Sequence, residues 1–107
     1  MREHQDFIQK LADCAAACEY CSDQCLTSDD IAKMVSCIRT DQDCADSCHV
    51  AINFVARGSR DAQEAVRFCR DLCKKCGDEC EKHDMDHCQA CAKACRACEE
   101  ACNQFLG

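Results

Sequence analysis

The spacing of cysteine is the feature that most constrains the fold of this chain. Cysteine supplies 16 of the 107 residues, and nearly every one follows the last by three or four positions. Such steps keep side chains on one face of an α-helix, which turns once every 3.6 residues. The cysteines therefore occupy positions where leucine usually forms a bundle core. They fall into four sets: Cys14, Cys18, Cys21 and Cys25; Cys37, Cys44 and Cys48; Cys69, Cys73, Cys76 and Cys80; Cys88, Cys91, Cys95, Cys98 and Cys102.

Breaks in the pattern divide the chain into four helices. No proline occurs, so no residue forces a helix to kink. Thr27 or Ser28 can cap a helix, Gly58 and Ser59 can end one and start the next, and Asp86 with Gln89 resembles a capping box. The predicted helices lie near residues 3–26, 29–57, 60–82 and 86–105 of a single domain, 1–107. Short connections predict an all-α fold, an antiparallel up-down-up-down four-helix bundle with a cysteine-lined core.

An internal repeat predicts how the helices align. The pattern C-x3-C-x2-C-x3-C occurs in the first, third and fourth helices, and the second helix carries Asp41 in one of the four places. Stacking the repeats predicts four layers, with Cys88 capping the last: Cys14/Cys48/Cys69/Cys102, Cys18/Cys44/Cys73/Cys98, Cys21/Asp41/Cys76/Cys95 and Cys25/Cys37/Cys80/Cys91. At one end of the bundle, the positions that continue the cysteine-bearing faces of the helices are apolar. They predict an apolar plug of Phe7, Leu11, Ile52, Val55, Ala62, Val66 and Phe105.

The opposite end of the predicted bundle carries soft metal ligands of another kind. The positions that continue the cysteine-bearing faces at this end are Met34, His83 and His87. Met85 lies in the loop between the two histidines. Thioether and imidazole groups suit uptake and release of a soft metal ion at the mouth of a thiol core. The alternative is an ordinary polar loop with Met34 as a core filler. His4 and His49 are interpreted as surface residues.

A core lined with thiols predicts a container for Cu(I). This soft ion prefers thiolate and thioether ligands, and a thiolate can bridge two ions, so the core could hold on the order of one Cu(I) per thiol. Each thiolate carries one negative charge and each Cu(I) one positive charge, which leaves a filled core nearly neutral. A divalent ion at a four-cysteine site would leave a charge of −2 at each site.

Three other interpretations of the cysteines remain open. A disulfide-stapled structural bundle is the usual meaning of so much cysteine in a short chain, but such scaffolds have irregular spacing. An iron–sulfur protein would carry a run such as C-x2-C-x2-C-x3-C-P, and a zinc-binding protein usually pairs distant C-x2-C knuckles. No catalytic group is indicated, because Cys48 and His49, like any adjacent helical residues, point about 100° apart. The protein is not expected to be an enzyme.

The charge and hydropathy of the chain limit the binding partners and the cellular location that can be expected. The chain has 20 acidic and 13 basic residues, a net charge of −7, which disfavours nucleic acid and anionic membranes as partners. No apolar run approaches 18 residues, so no membrane span is expected. Residues 1–6 are charged and lack the apolar stretch of a signal peptide. The expectation is a cytoplasmic protein with reduced thiols and copper ions as its partners.

Two features of the second helix have alternative interpretations. Either Asp41 faces the core in place of a thiol, or the helix is rotated so that Thr40 faces inward. A second apolar stripe is either a broader core face or an oligomer interface; it consists of Ile31, Ile38, Ala45 and Ile52.

Taken together, these motifs resemble those of the copper storage proteins, the Csp family of cysteine-rich four-helix bundles. The resemblance covers nearly the whole chain and depends on the three full repeats, the partial repeat and the Met/His end. It implies many Cu(I) ions in the bundle core, assembly as a homotetramer and, for members without a leader, a cytosolic location. Asp41 departs from the pattern where a thiol would be expected.

Overall fold

Four long helices account for most of the chain, as the all-α prediction requires. The structure is a computed structural model that describes residues 4–107. Its helices are α1 (Gln5–Cys25), α2 (Ile31–Ala56), α3 (Ala62–Cys80) and α4 (Asp86–Leu106), with no strand among the described residues. The predicted helix limits differ from these by at most two residues, and the predicted first residue, 3, lies outside the described part.

The helices form a ring around one long axis. Each helix packs against the next one in sequence, and α1 also packs against α4. The bundle measures 44 × 19 × 17 Å, so it is more than twice as long as it is wide. Because each helix buries the face that carries its cysteines, the axis of the bundle is lined with sulfur.

The turns follow the predicted breaks and Gly58 ends α2 as predicted, but the predicted N-cap residues are wrong. Gly58 ends α2 with a φ of +64°, which a residue without a Cβ adopts at low cost. The hydroxyls of Ser28 and Ser59 accept hydrogen bonds from the backbone N–H groups two residues ahead, at 3.2 and 3.1 Å, and therefore stabilise the turns before the helices. Gln89 does not form a capping box, since its side-chain amide donates to the carbonyl of His83 at 2.7 Å.

One end of the bundle, here called the closed end, is filled with hydrocarbon as predicted. Leu11, Val55 and Val66 are fully buried there. The rings of Phe7 and Phe105 stack with their centroids 5.0 Å apart. Ala62 is buried and Ile52 is half-buried at the same end. His4, interpreted from the sequence as a surface residue, is half-buried and packs edge-on against Phe105, with ring centroids 5.3 Å apart.

Gly77 has a structural reason to lack a side chain. It is buried inside α3, and a Cβ there would lie only 2.9 Å from Nη1 of Arg96 on α4. The Arg96 guanidinium lies across this gap and forms ion pairs with Asp78 at 2.6 Å and Glu81 at 2.9 Å. Gly77 therefore lets an arginine of α4 reach Asp78 of α3 and Glu81 just beyond it.

Candidate metal centre

All sixteen cysteines lie inside the bundle, with 0% of their surface exposed. Neighbouring sulfur atoms are in contact: Cys44 and Cys73 are 3.7 Å apart, and Cys14 and Cys95 are 4.0 Å apart. A disulfide bond would require about 2.05 Å, and all sixteen thiols are free. The cysteines therefore form a continuous tube of reduced sulfur along the bundle axis, here called the sulfur tube.

The predicted alignment is right for α2 against α3. The Sγ atoms of Cys48 and Cys69 lie 3.7 Å apart, and so do those of Cys37 and Cys80. Asp41 faces Cys76, with its Oδ1 atom 3.1 Å from that sulfur. These pairs are the ones that the stacked repeats predict.

The predicted alignment is wrong for α1 and α4, which are each displaced by one step of the repeat. Cys14 contacts Cys44 at 3.9 Å and Cys73 at 4.0 Å, so it lies level with that pair and not with the Cys48/Cys69 pair of the prediction. Cys88 does not cap the tube, because its sulfur lies 3.9 Å from that of Cys21 within the last layer. The layers, starting near the closed end, are Cys48/Cys69/Cys98, Cys14/Cys44/Cys73/Cys95, Cys18/Asp41/Cys76/Cys91 and Cys21/Cys37/Cys80/Cys88, with Cys102 and Cys25 beyond the two ends.

Asp41, and not Thr40, faces the sulfur tube. Its carboxyl is fully buried, and Oδ1 accepts hydrogen bonds from the thiols of Cys76, Cys91 and Cys80 at 3.1, 3.3 and 3.5 Å. The hydroxyl of Thr40 instead donates to a backbone carbonyl of its own helix at 3.1 Å. Burial, followed by the nearby Cys91 and Cys76 thiols, raises the pKa of Asp41 to about 12. The carboxyl is therefore neutral in the copper-free protein at ordinary pH.

We expect Asp41→Asn to remove a pH dependence from the stability of the copper-free protein. With a folded pKa of about 12 against about 3.9 in the unfolded chain, the folded state holds an extra proton, so the free energy of unfolding falls as pH rises. Between about pH 5 and 7.5, the stability of the variant relative to the wild type should rise by up to about 1.4 kcal/mol per pH unit.

Denaturant unfolding of the reduced, copper-free proteins at several pH values measures this gain. Asp43→Asn is the matched control, because it removes an exposed carboxylate from the same helix and leaves Asp41 in place. Parallel stability curves for Asp41→Asn and the wild type would contradict the assignment of a neutral carboxyl.

At the end opposite the apolar plug, here called the open end, a histidine contacts the thiols. Nδ1 of His87 lies 3.5 Å from the sulfurs of both Cys21 and Cys88. With Cys25 these residues form a group whose potential ligand atoms all lie within 4.8 Å of one another. Burial raises the pKa of the Cys25 and Cys88 thiols. The predicted association of His87 with the thiols is therefore present in the geometry.

The other three residues predicted at this end lie around one cleft. Met34, Met85 and His83 line an open surface cleft of about 520 Å³. Met34 is almost fully buried and Met85 packs partly against the core. His83 is not among the thiols; its Nε2 atom lies 2.9 Å from Oε2 of Glu79. Sequence reasoning missed Glu79, although a glutamate on the last turn of a helix, four residues before a histidine, is a signal for such a pair.

The contacting sulfur pairs have the spacing that two ligands of one metal ion require. For a metal–sulfur distance of about 2.3 Å, ligands of a trigonal or tetrahedral ion lie about 4.0 or 3.8 Å apart. The observed neighbours are 3.7–4.0 Å apart. Individual thiols belong to several four-residue groups at once, which suits bridging: Cys14/Cys44/Cys48/Cys73, Cys14/Cys18/Cys44/Cys95, Cys18/Cys76/Cys91/Cys95 and Cys48/Cys69/Cys73/Cys98.

Comparison with known proteins assigns the family. The family model described as copper storage protein, Csp, matches residues 1–107. The chain belongs to the copper storage protein family. The Cu(I)-bound copper storage protein BsCsp3 of Bacillus subtilis superposes with a TM-score of 0.93 and is 40% identical, over 97% of this chain and 98% of that one.

Two further relatives extend the comparison. A cytosolic copper storage protein from Streptomyces lividans, carrying five coppers, has a TM-score of 0.90 and 39% identity, over 94% of this chain and 88% of that one. The uncharacterized cysteine-rich protein YhjQ of Bacillus subtilis is 44% identical over 87 residues, which is 81% of each chain. The predicted fold class and family resemblance are therefore confirmed.

These findings favour copper over the three other interpretations of the cysteines. Contacts of 3.7–4.0 Å between free thiols are not those of a disulfide-stapled bundle. The iron–sulfur and zinc interpretations gain no support, because the solved relatives described above are copper storage proteins. Among the described residues, no helix combines the length and the apolar character needed to cross a membrane.

Proposed function

We propose that this protein stores Cu(I), many ions per chain, on the thiolates of the sulfur tube. The observation that carries this proposal is that all sixteen thiols are free and fully buried, and most of them lie 3.7–4.0 Å from another sulfur. Buried thiolates without counterions would be strongly unfavourable, whereas monovalent ions in equal number leave the core neutral. Cu(I) is the soft monovalent ion that its solved relatives suggest, since one of them is Cu(I)-bound. The sixteen cysteines are the proposed ligands.

Copper enters and leaves, in this proposal, at the open end. The hydrocarbon plug of Leu11, Val55 and Val66 obstructs the closed end. At the open end, His87 contacts the last thiol layer and the cleft with Met34, Met85 and His83 lies outside it. Imidazole and thioether groups are weaker Cu(I) ligands than thiolate, so an ion arriving there gains affinity as it moves inward.

The proposed role is storage in the cytosol by one domain that spans residues 1–107. The Streptomyces relative is a cytosolic protein, and a reducing compartment would keep the thiols free. Burial of every thiol also supports storage over catalysis, because a nucleophile must reach its substrate.

Assembly as a homotetramer completes the proposal. A groove of about 480 Å³ between α2 and α3 exposes apolar side chains, with Phe68 58% and Val50 44% exposed. Exposed aromatic and branched side chains in one groove favour burial against another surface. The Ile31 to Ile52 stripe contributes less, because Ala45 is fully buried and Ile38 and Ile52 are half-buried in the bundle itself.

An anaerobic Cu(I) titration against a competing chelator tests the storage function. We expect tight uptake of well over four ions per chain, rising toward about one ion per thiol. Zn²⁺ is the control: at about one ion per four sulfurs it should saturate near four. Saturation with Cu(I) at four ions or fewer, or few free thiols in anaerobically denatured protein, would contradict storage. Sedimentation of the same samples should show four chains per particle.

A further inference from the structure

We propose that Glu79 is a positioning residue, which holds His83 so that the other nitrogen of its ring receives incoming Cu(I) in the open-end cleft. This inference rests on the proposed storage function and adds a residue to it. Glu79 lies one position before Cys80 on the last turn of α3 and is itself no candidate ligand of the sulfur tube.

The contact between the two residues is short and sheltered. Nε2 of His83 lies 2.9 Å from Oε2 of Glu79, and the two side chains are only 16% and 13% exposed. The other carboxylate oxygen lies 3.4 Å from Nζ of Lys82. Both oxygens of Glu79 are therefore engaged, and the carboxylate is fixed on the last turn of α3.

The charge of Glu79 determines which nitrogen of His83 carries the proton. The Glu79 carboxylate lies 2.9 Å from the His83 ring and 3.4 Å from the Lys82 ammonium, and a glutamate beside such groups is ionised at neutral pH. An ionised carboxylate can only accept hydrogen bonds. Nε2–H of His83 is thus the donor, and in the neutral ring the lone pair is on Nδ1.

The backbone around His83 is held as well. Its N–H donates to the carbonyl of Cys80 at 3.1 Å, and its carbonyl accepts a hydrogen bond from the Gln89 side chain at 2.7 Å. The position of the ring is therefore set from the backbone and from Glu79 together. A carboxylate that orients a histidine and raises its basicity is a recurring arrangement around metal ligands.

The surroundings of His83 suit transient binding of copper. Met34 and Met85 line the same cleft as His83, which places two thioethers and an imidazole around one cavity. None of these three groups carries a negative charge when the ring is neutral, and each holds Cu(I) less tightly than thiolate. His87 does not line this cleft, and its Nδ1 atom contacts the sulfurs of Cys21 and Cys88 at 3.5 Å. The two histidines therefore have different tasks, one on the cleft side and one on the thiol side.

The rate of copper uptake tests this role. In anaerobic stopped-flow transfer from a Cu(I)–chelator complex, we expect Glu79→Ala to slow uptake roughly tenfold, as loss of an outer-shell partner does at metal sites. The number of ions bound at equilibrium should stay that of the wild type. Glu79→Gln keeps an acceptor oxygen and should restore most of the rate. Glu81→Ala is the matched control, because it removes the same charge from the same end of α3 but pairs with Arg96.

A double-mutant cycle separates positioning from a general structural effect. If Glu79 acts through His83, then Glu79→Ala should cause no further slowing once His83→Ala is present. Uptake at the wild-type rate in Glu79→Ala, uptake at the wild-type rate in His83→Ala, or additive slowing in the double variant would each overturn the proposal.

Nitrogen NMR of the His83 ring gives a readout that needs no copper. The wild type should show the Nε2-protonated tautomer, and Glu79→Ala should show a mixture of both tautomers. A wild-type ring protonated on Nδ1 would overturn the proposal. Saturation of the wild type at four or fewer Cu(I) would count against the storage function, while the tautomer would still report whether Glu79 holds His83.

Discussion

Changing one whole layer of the sulfur tube to serine should remove about half of the copper capacity. The layer of Cys14, Cys44, Cys73 and Cys95 separates the open end from the last thiols near the plug. Its loss removes four ligands directly, since a hydroxyl is a poor ligand for a soft ion. It also isolates the four thiols beyond it, Cys48, Cys69, Cys98 and Cys102. Passage from thiol to thiol would have to cross about two layer spacings, or ~10 Å, without sulfur.

The anaerobic Cu(I) titration measures this loss, and circular dichroism of the copper-free variant checks the fold. A matched control places four serines on the outside of the bundle, at the exposed Ala16, Ala32, Ala90 and Ala97. That control should keep the full capacity. Loss of only about four ions from the layer variant would show that copper reaches the far thiols by another path.

The helices could be predicted from the sequence because a local rule governs them. Steps of three and four fix which face of each helix is buried, and all sixteen cysteines lie on that face with no exposed surface. The hydrocarbon plug was predictable for the same reason, since Leu11, Val55 and Val66 continue the phase of the cysteines. Which residues share one face of a helix depends only on the helical period, and not on contacts with other helices.

The alignment of α1 and α4 could not be predicted in this way. Their repeats have the same spacing as those of α2 and α3, so sliding a helix by one step still points every thiol at the axis. Contacts at the ends, where the repeat stops, differ between the alternatives. The stacking of Phe7 on Phe105 and the position of His87 between Cys21 and Cys88 are two such contacts. Neither follows from the spacing of cysteine.

The site itself was predictable as a set of ligands but not as a set of neighbours. His83 and His87 are equivalent in the sequence, four residues apart beside a methionine. Only the structure separates them, because His87 contacts two thiols and His83 contacts Glu79. Asp41 likewise looked like a missing thiol. In the structure its Oδ1 atom accepts hydrogen bonds from three thiols, which makes it the polar centre of its layer.

Leu11→Ala should destabilise the copper-free protein by about 2–5 kcal/mol, the usual loss for a leucine cut back in a closed core. Leu11 is fully buried and follows the sulfur tube at the closed end, where a thiol core offers little hydrocarbon to fill the space it leaves. Guanidinium unfolding of the reduced protein measures the loss. Leu26→Ala is the control, because Leu26 is 52% exposed and its truncation should cost less than about 1 kcal/mol. The Cu(I) capacity of both variants should equal that of the wild type, since no thiol is removed. A loss below about 1 kcal/mol for Leu11→Ala would show that the sulfur tube, and not the plug, carries the stability of the copper-free bundle.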